Sequence, residues 1–147
     1  MPSMQEVTIL LVEDDPGHAR LIAKNLQRSN IMNEIVHAST GQQAIDYLFN
    51  EGEYAGSENP LPLLVLLDLN MPVLDGYQVL ERMKKNKRTK RIPVIVLTTT
   101  DDHREVSRCY DLGCNVYLTK PVDYAQFSDA IRKVGLFLSI VTVPDGE

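Results

Sequence analysis

Between residues 63 and 67 the chain reads Leu-Leu-Val-Leu-Leu without a charge, and then it meets a single carboxylate, Asp68. Five consecutive branched apolar residues have the length of a strand, and prolines at 60, 62 and 72 punctuate both ends. A run with no polar alternation fits a strand covered on both faces, as in a parallel sheet between two layers of helices. Asp68 then stands where the strand leaves the sheet. In open α/β folds that edge carries the ligands.

Other apolar runs alternate with helical patterns. Residues 7–12 read as a buried strand followed at once by Glu13, Asp14 and Asp15. Pro16 suits the first turn of a helix capped by Asp15, and Ala19, Ile22, Ala23 and Leu26 form its inward stripe to about Arg28. Residues 34–37 make a short second strand, and Ser39 with Gln42 has capping-box spacing ahead of a helix faced by Ala44, Ile45, Leu48 and Phe49. Residues 51–62 are rich in glycine, proline and polar side chains and form a surface loop. It exceeds the roughly 2–6 residues usual between a helix and the next strand.

Beyond Asp68, Asp75 caps a helix with Gly76, Leu80 and Met83 inward, which ends in the basic run 84–91, read as a solvated helix end favoured by the helix dipole. A fourth strand, 93–97, ends in Thr98, Thr99 and Thr100. A helix from about Asp102 to Leu112 stops at Gly113, and a short strand, 116–118, runs into Thr119, Lys120 and Pro121. Asp123 and Gln126 cap a last helix with Phe127, Ile131, Val134 and Leu138 on one face.

Five β-α units in this length predict an α/β fold, a flavodoxin-like (βα)5 doubly wound parallel sheet in strand order 2-1-3-4-5. With 147 residues, 44% of them hydrophobic and 24% charged, the chain is expected to be one domain, with its core at about 7–135 and an apolar extension at 136–147. No apolar run approaches the ~20 residues that cross a bilayer, and no signal pattern opens the chain, so a cytoplasmic protein without a membrane partner is expected. A net charge of −5 argues against direct nucleic-acid binding. Cys109 and Cys114 read as free thiols, packed or at the surface, and His18, His37 and His103 share no metal-ligand spacing.

The predicted topology brings Glu13, Asp14, Asp68, Thr98 and Lys120 to one rim. Carboxylates gathered in one cleft repel each other and raise each other's pKa unless a cation joins them. Oxygen donors of this kind, completed by a backbone carbonyl such as that of Asn70 and by water, suit Mg²⁺. A carboxylate can also attack phosphorus, with the metal and Lys120 neutralising charge on the phosphoryl oxygens and the Thr98 hydroxyl holding one of them. The set reads as a phosphate-accepting aspartate with a cation clamp.

Taken together, Glu13-Asp14, Asp68-Leu-Asn-Met-Pro72, Thr98-Thr99 and Lys120-Pro121, in this order and separation, make the chain resemble a receiver domain of the two-component response-regulator family. The resemblance implies that Asp68 accepts a phosphoryl group from a histidine kinase's phosphohistidine. It implies Mg²⁺ on Asp14, Asp68 and the Asn70 carbonyl, with Glu13 holding a metal-bound water. It makes Thr98, Thr99 and Lys120 the phosphoryl-binding residues and Tyr117 the aromatic switch residue. A receiver of this kind is a phosphoacceptor and not an enzyme, its only chemistry being its own phosphorylation and dephosphorylation.

About a dozen residues follow Gly135, so no output domain is expected and the signal must pass through a partner or a second copy. Leu136, Phe137, Leu138, Ile140, Val141 and Val143 are too many apolar residues for one face of a solvated helix. With Tyr117 they predict a contact surface, most simply a homodimer through Tyr117, Leu136, Phe137, Ile140 and Val141. The long loop before the third strand and this apolar end make the chain similar to small single-domain regulators paired with cyanobacterial phytochrome histidine kinases. Rival readings are a receiver-like module never phosphorylated, an aspartate-nucleophile phosphohydrolase and a flavodoxin. Asn70 stands where the phosphohydrolase needs a second acid, and the acids after the first strand would repel a flavin phosphate.

Overall fold

Strand and helix alternate from end to end. The computed structural model describes residues 8–28, 31, 33–56, 61–71, 75–99, 101–120 and 122–142, with side chains as far as Val134. In chain order the elements are β1 (Thr8–Val12), α1 (Pro16–Arg28), β2 (Glu34–Ala38), α2 (Gly41–Phe49), β3 (Leu64–Asp68), α3 (Gly76–Lys85), β4 (Val94–Thr98), α4 (His103–Leu112), β5 (Val116–Thr119) and α5 (Tyr124–Thr142). The strands form one sheet in the order β2-β1-β3-β4-β5, every neighbouring pair parallel. The expected fold is the one found.

Two-residue periodicity divides the core into two layers. Val65 and Leu67 of β3 face one layer, with Leu10, Val12, Val94 and Val96 beside them and residues of α2, α3 and α4 above. Leu64 and Leu66 face the other, with Ile9, Leu11, Ile95 and Leu97 beside them and residues of α1 and α5 below. All of β1, β3 and β4 is buried, which is why these strands carry no polar alternation. Both Cys109 and Cys114 are packed in the first layer as free thiols, and burial pushes the Cys114 thiol up to about 12.

Local signals were mostly in place, with differences that have physical causes. The Asp15 carboxylate accepts from Gly17 N–H at 2.9 Å, and the Asp123 carboxylate accepts from Gln126 N–H at 2.7 Å, as caps should. On α2 the cap lies one residue later than the Ser39 and Gln42 pairing. Thr40 is extended and its hydroxyl accepts from Gln43 N–H at 3.0 Å, while the Gln43 amide oxygen reaches back to Ser39 N–H at 2.8 Å. Thr40 therefore does the capping that Ser39 was expected to do, and Gln43 replaces Gln42.

The loop at 51–62 contains a 3-10 turn, Gly52–Tyr54, in which Tyr54 packs edge-on against Tyr47 at 5.3 Å. In the basic run, Lys84 is not solvated as expected. Its ammonium donates to the carbonyls of Lys90 at 3.0 Å and Ile92 at 3.2 Å, closing the turn after α3. The buried Thr89 hydroxyl closes it from the other side on Met83 O at 2.6 Å.

α3 is placed by one close approach. Asp75 and Gln78 form a reciprocal capping box, and the next residue, Gly76, lies against the backbone leaving β3. A Cβ on Gly76 would stand 2.6 Å from Asp68 O and 2.7 Å from Leu69 Cα, backbone atoms that cannot swing aside, as well as 2.9 Å from the Leu69 side chain. Substitution to alanine should therefore destabilise the fold by about 1–3 kcal/mol, against the usual helix preference for alanine, as overpacking does. Urea unfolding followed by circular dichroism measures this; a Gly76→Ala protein as stable as the parent would refute the close packing.

Candidate functional site

The same alternation that divides the core aims the side chains at the strand ends. Glu13 continues the phase of Ile9 and Leu11, Asp68 that of Leu64 and Leu66, and Lys120 that of Leu118, all of which face the α1 and α5 layer. Their polar groups therefore meet. Lys120 Nζ lies 3.0 Å from Glu13 Oε1 and 3.2 Å from Asp68 Oδ2, with Glu13 fully buried and Asp68 only 1% exposed. Asp68 Oδ2 is buried against the Lys120 ammonium, and as a carboxylate oxygen it can accept more than that one contact.

Thr98 has the opposite phase. It continues Val94 and Val96 toward the α2–α4 layer, where the partly buried Tyr117 also packs. The Thr98 hydroxyl donates to the Asn70 amide oxygen at 3.0 Å. That oxygen also accepts from Thr99 N–H at 3.1 Å and from the Thr99 hydroxyl at 3.2 Å. Thr98 hydrogen-bonds Tyr117 on its other side. Asn70 N–H in turn donates to Asp68 Oδ1 at 3.0 Å, so Asp68, Asn70, Thr98 and Tyr117 form one connected path.

Electrostatics follow from burial. Burial is the largest influence on the Asp68 carboxyl and raises it above its ordinary value; the Asn70 N–H opposes this, Glu13 adds to it and Lys120 opposes it. Burial works to lower the Lys120 ammonium, but its bonds to Glu13 and Asp68 outweigh that and hold it above its usual range. Tyr117 is likewise raised by burial, with the Thr98 hydrogen bond acting the other way.

Carboxylate oxygens of Glu13, Asp14 and Asp68, one from each, lie within 4.8 Å of one another. Asp14 is exposed, so the cluster opens to solvent on one side and is buried on the other. An all-oxygen set that includes a buried carboxylate fits a hard divalent cation that keeps some of its water.

Two histidines that the sequence placed in surface or packing roles belong to this rim. His18 Nδ1 donates to Glu13 Oε1 at 2.8 Å, and His37 Nε2 donates to the Glu13 carbonyl at 2.7 Å. The Asn70 side chain was also missed, because only its carbonyl was considered. No spacing rule finds these contacts: His37 is 24 residues from Glu13, and Thr98 is 28 from Asn70. The expected contact residues Leu136, Phe137, Ile140 and Val141 lie beyond the described side chains, as do the structures at Pro72 and Pro121.

The response regulator receiver domain model matches residues 9–132. Response regulator Rcp1 of Synechocystis is 41% identical over 137 residues, covering 92% of each chain. The solved Mn²⁺-bound form of Rcp1 superposes with a TM-score of 0.78 at 40% identity, covering 94% of this chain and 99% of that one. The bacteriophytochrome response regulator RtBRR gives a TM-score of 0.80 at 39% identity over 88% of this chain and 78% of its own. The phosphorylated cyanobacterial phytochrome response regulator RcpA gives 0.74 at 37% identity over 94% and 96%.

A carboxyl raised by burial is a cost to the fold whenever it is ionised. The folded protein then binds its proton more readily than the unfolded chain, so stability falls as pH rises between the ordinary value of 3.8 and the folded one, and the cost is complete above the folded value. With divalent metal chelated, Asp68→Asn should melt a few degrees above the parent at pH 7, and this advantage should shrink as pH falls toward 3.8. Thermal unfolding by circular dichroism decides it; an Asp68→Asn protein less stable than the parent at pH 7 would contradict the account.

Proposed function

The chain belongs to the response regulator receiver family, and from that premise we propose that Asp68 is the phosphoacceptor, taking a phosphoryl group from a histidine kinase's phosphohistidine. One observation supports this most: a buried carboxylate faces two other carboxylates and one lysine at the C-terminal edge of a parallel sheet. In the transfer, an Asp68 oxygen forms a bond to phosphorus as the bond from phosphorus to the histidine nitrogen breaks, and its electron pair returns to the imidazole. The Lys120 ammonium and Asn70 N–H help keep Asp68 ionised for this attack at neutral pH. Mg²⁺ supplies charge neutralisation on the phosphoryl oxygens. Asp14, Asp68 and the Asn70 carbonyl would hold it, with Glu13 on a metal-bound water. The Mn²⁺-bound form of Rcp1 supports a divalent cation for this site.

Once attached, the phosphoryl group brings strong acceptor oxygens beside donors now spent on Asn70. Lys120, the Thr98 hydroxyl and Thr99 can turn to those oxygens. Thr98 then leaves its position beside Tyr117, which gains a new one. The covalent bond is later lost to water, so the site receives, holds and releases a group. The relatives Rcp1, RtBRR and RcpA support a phytochrome-type histidine kinase as the donor.

Incubation with acetyl phosphate and Mg²⁺ should produce a base-labile phosphoprotein, seen by intact mass, and Asp68→Asn should abolish it. An adduct that survives Asp68→Asn would overturn the assignment. We further infer that the whole chain is one receiver unit acting through a homodimer, with Tyr117, Leu136, Phe137, Ile140 and Val141 at the contact. Sedimentation with and without beryllofluoride should show a dimer in at least one state; monomers in both would remove the dimer from the account.

A further inference from the structure

We propose that Tyr77 is a positioning residue for the phosphoryl site: by pinning α4 to α3, it sets how readily the Thr98–Thr99 donors leave Asn70 for a phosphoryl group on Asp68. The proposal rests on the reading of Asp68 as phosphoacceptor.

α4 is thinly anchored. It buries one side chain, Cys109, whereas α3 buries five residues, Tyr77 among them. Beside that packing and the half-buried Leu112, the Tyr77 ring holds α4. Its hydroxyl donates to Glu105 Oε1 at 2.6 Å, and the Arg108 guanidinium lies over the ring at 3.9 Å from its centroid. Cys109, the buried residue of α4, belongs to the same core layer as Tyr77. Glu105 and Arg108 are spaced i, i+3, so they meet one aromatic side chain from a single face of α4. Burial, followed by the Glu105 bond, raises the phenol far above its usual range, so it remains a donor at any physiological pH.

Tyr77 is itself fixed to the phosphoacceptor. It follows Gly76, whose missing Cβ lets α3 rest against Asp68 O, and Gly76 N–H donates to Leu69 O at 3.3 Å. A rigid connection therefore runs from the backbone of Asp68 through Gly76 and Tyr77 to α4, and it includes neither Thr98 nor Tyr117.

Both ends of the connection meet again at α4. The N-cap of α4 is Asp102, a few residues after Thr98 and Thr99, whose donors are engaged by the Asn70 amide oxygen. On this proposal, donors that turn toward Asp68 draw the start of α4 with them. The charge-assisted hydrogen bond and the stacked guanidinium of Tyr77 would oppose such a movement, and they accompany the arrangement in which Asn70 holds the threonines.

The test is beryllofluoride binding to the full chain with Mg²⁺, followed by fluorine NMR, in the parent and in Tyr77→Phe. This substitution keeps the ring and the Arg108 stack and deletes the hydroxyl. Loss of one hydrogen bond to a charged group should tighten analogue binding by about tenfold, and amide exchange across residues 103–112 should become faster. Glu105→Gln, which keeps an acceptor without the charge, should shift affinity in the same direction by less and serves if Tyr77→Phe folds poorly. Variants that lose stability while binding the analogue like the parent would show a merely structural role and overturn the proposal. A parent protein that binds no analogue would overturn the Asp68 reading instead.

Discussion

Lys120 between Glu13 and Asp68 is the interaction on which the rest of the rim depends, because two carboxylates with almost no exposure cannot both be ionised without a cation between them. The three groups come from the ends of β1, β3 and β5, and β5 is separated from β3 by β4. The lysine therefore reaches past a strand to close the cluster. Its backbone is held for this by a 2.6 Å hydrogen bond from Lys120 N–H to Thr98 O, which ties β5 to the residue that also carries the threonine donor. A divalent cation held by the carboxylate cluster would add positive charge to that of Lys120. With a divalent cation on Glu13, Asp14 and Asp68, the negative charge would be shared between that ion and Lys120.

Around that charge the polar contacts separate by strand phase. Glu13, Asp68 and Lys120 occupy one side of the sheet's edge, while Thr98 and Tyr117 occupy the other, and Asn70 bridges them through its N–H to Asp68 and its amide oxygen to Thr98. On the threonine side, Asn70 is thus the link between Asp68 and Thr98, and a switch through it is part of the proposal. Such a rearrangement needs only a few kcal/mol of preference between two states, which a handful of charge-assisted bonds can supply. The thin packing of α4 makes it the element best able to respond, since moving it disturbs little buried apolar surface.

Much of this was legible in the chain itself. The apolar runs marked β1, β3 and β4, which are buried throughout and carry no polar interruption, while the order followed from the alternation of strands and helices. The acids, threonine and lysine at the rim could be named because each directly follows such a run. Aspartate caps were found at Asp15, Asp75 and Asp123, the cap at Asp102 was not named, and the α2 cap slipped by one residue where Ser39 and Thr40 both offered a hydroxyl. The basic run was misread at Lys84, because a long side chain can leave solvent to satisfy carbonyls of a turn that only the folded backbone brings near.

The sequence by itself determined the family of folds, the edge of the sheet that carries chemistry and the identity of the carboxylates there. It did so because hydrophobic periodicity and strand ends are local properties, written in consecutive residues. Tertiary structure alone decided that the Asn70 amide oxygen would hold Thr98 and Thr99, that His18 and His37 would support Glu13, and that Tyr77 would grip Glu105 and Arg108. Those contacts join residues on different elements. Hydrogen bonds are short and directional, so which distant groups meet depends on how helices seat on the sheet and not on any spacing along the chain.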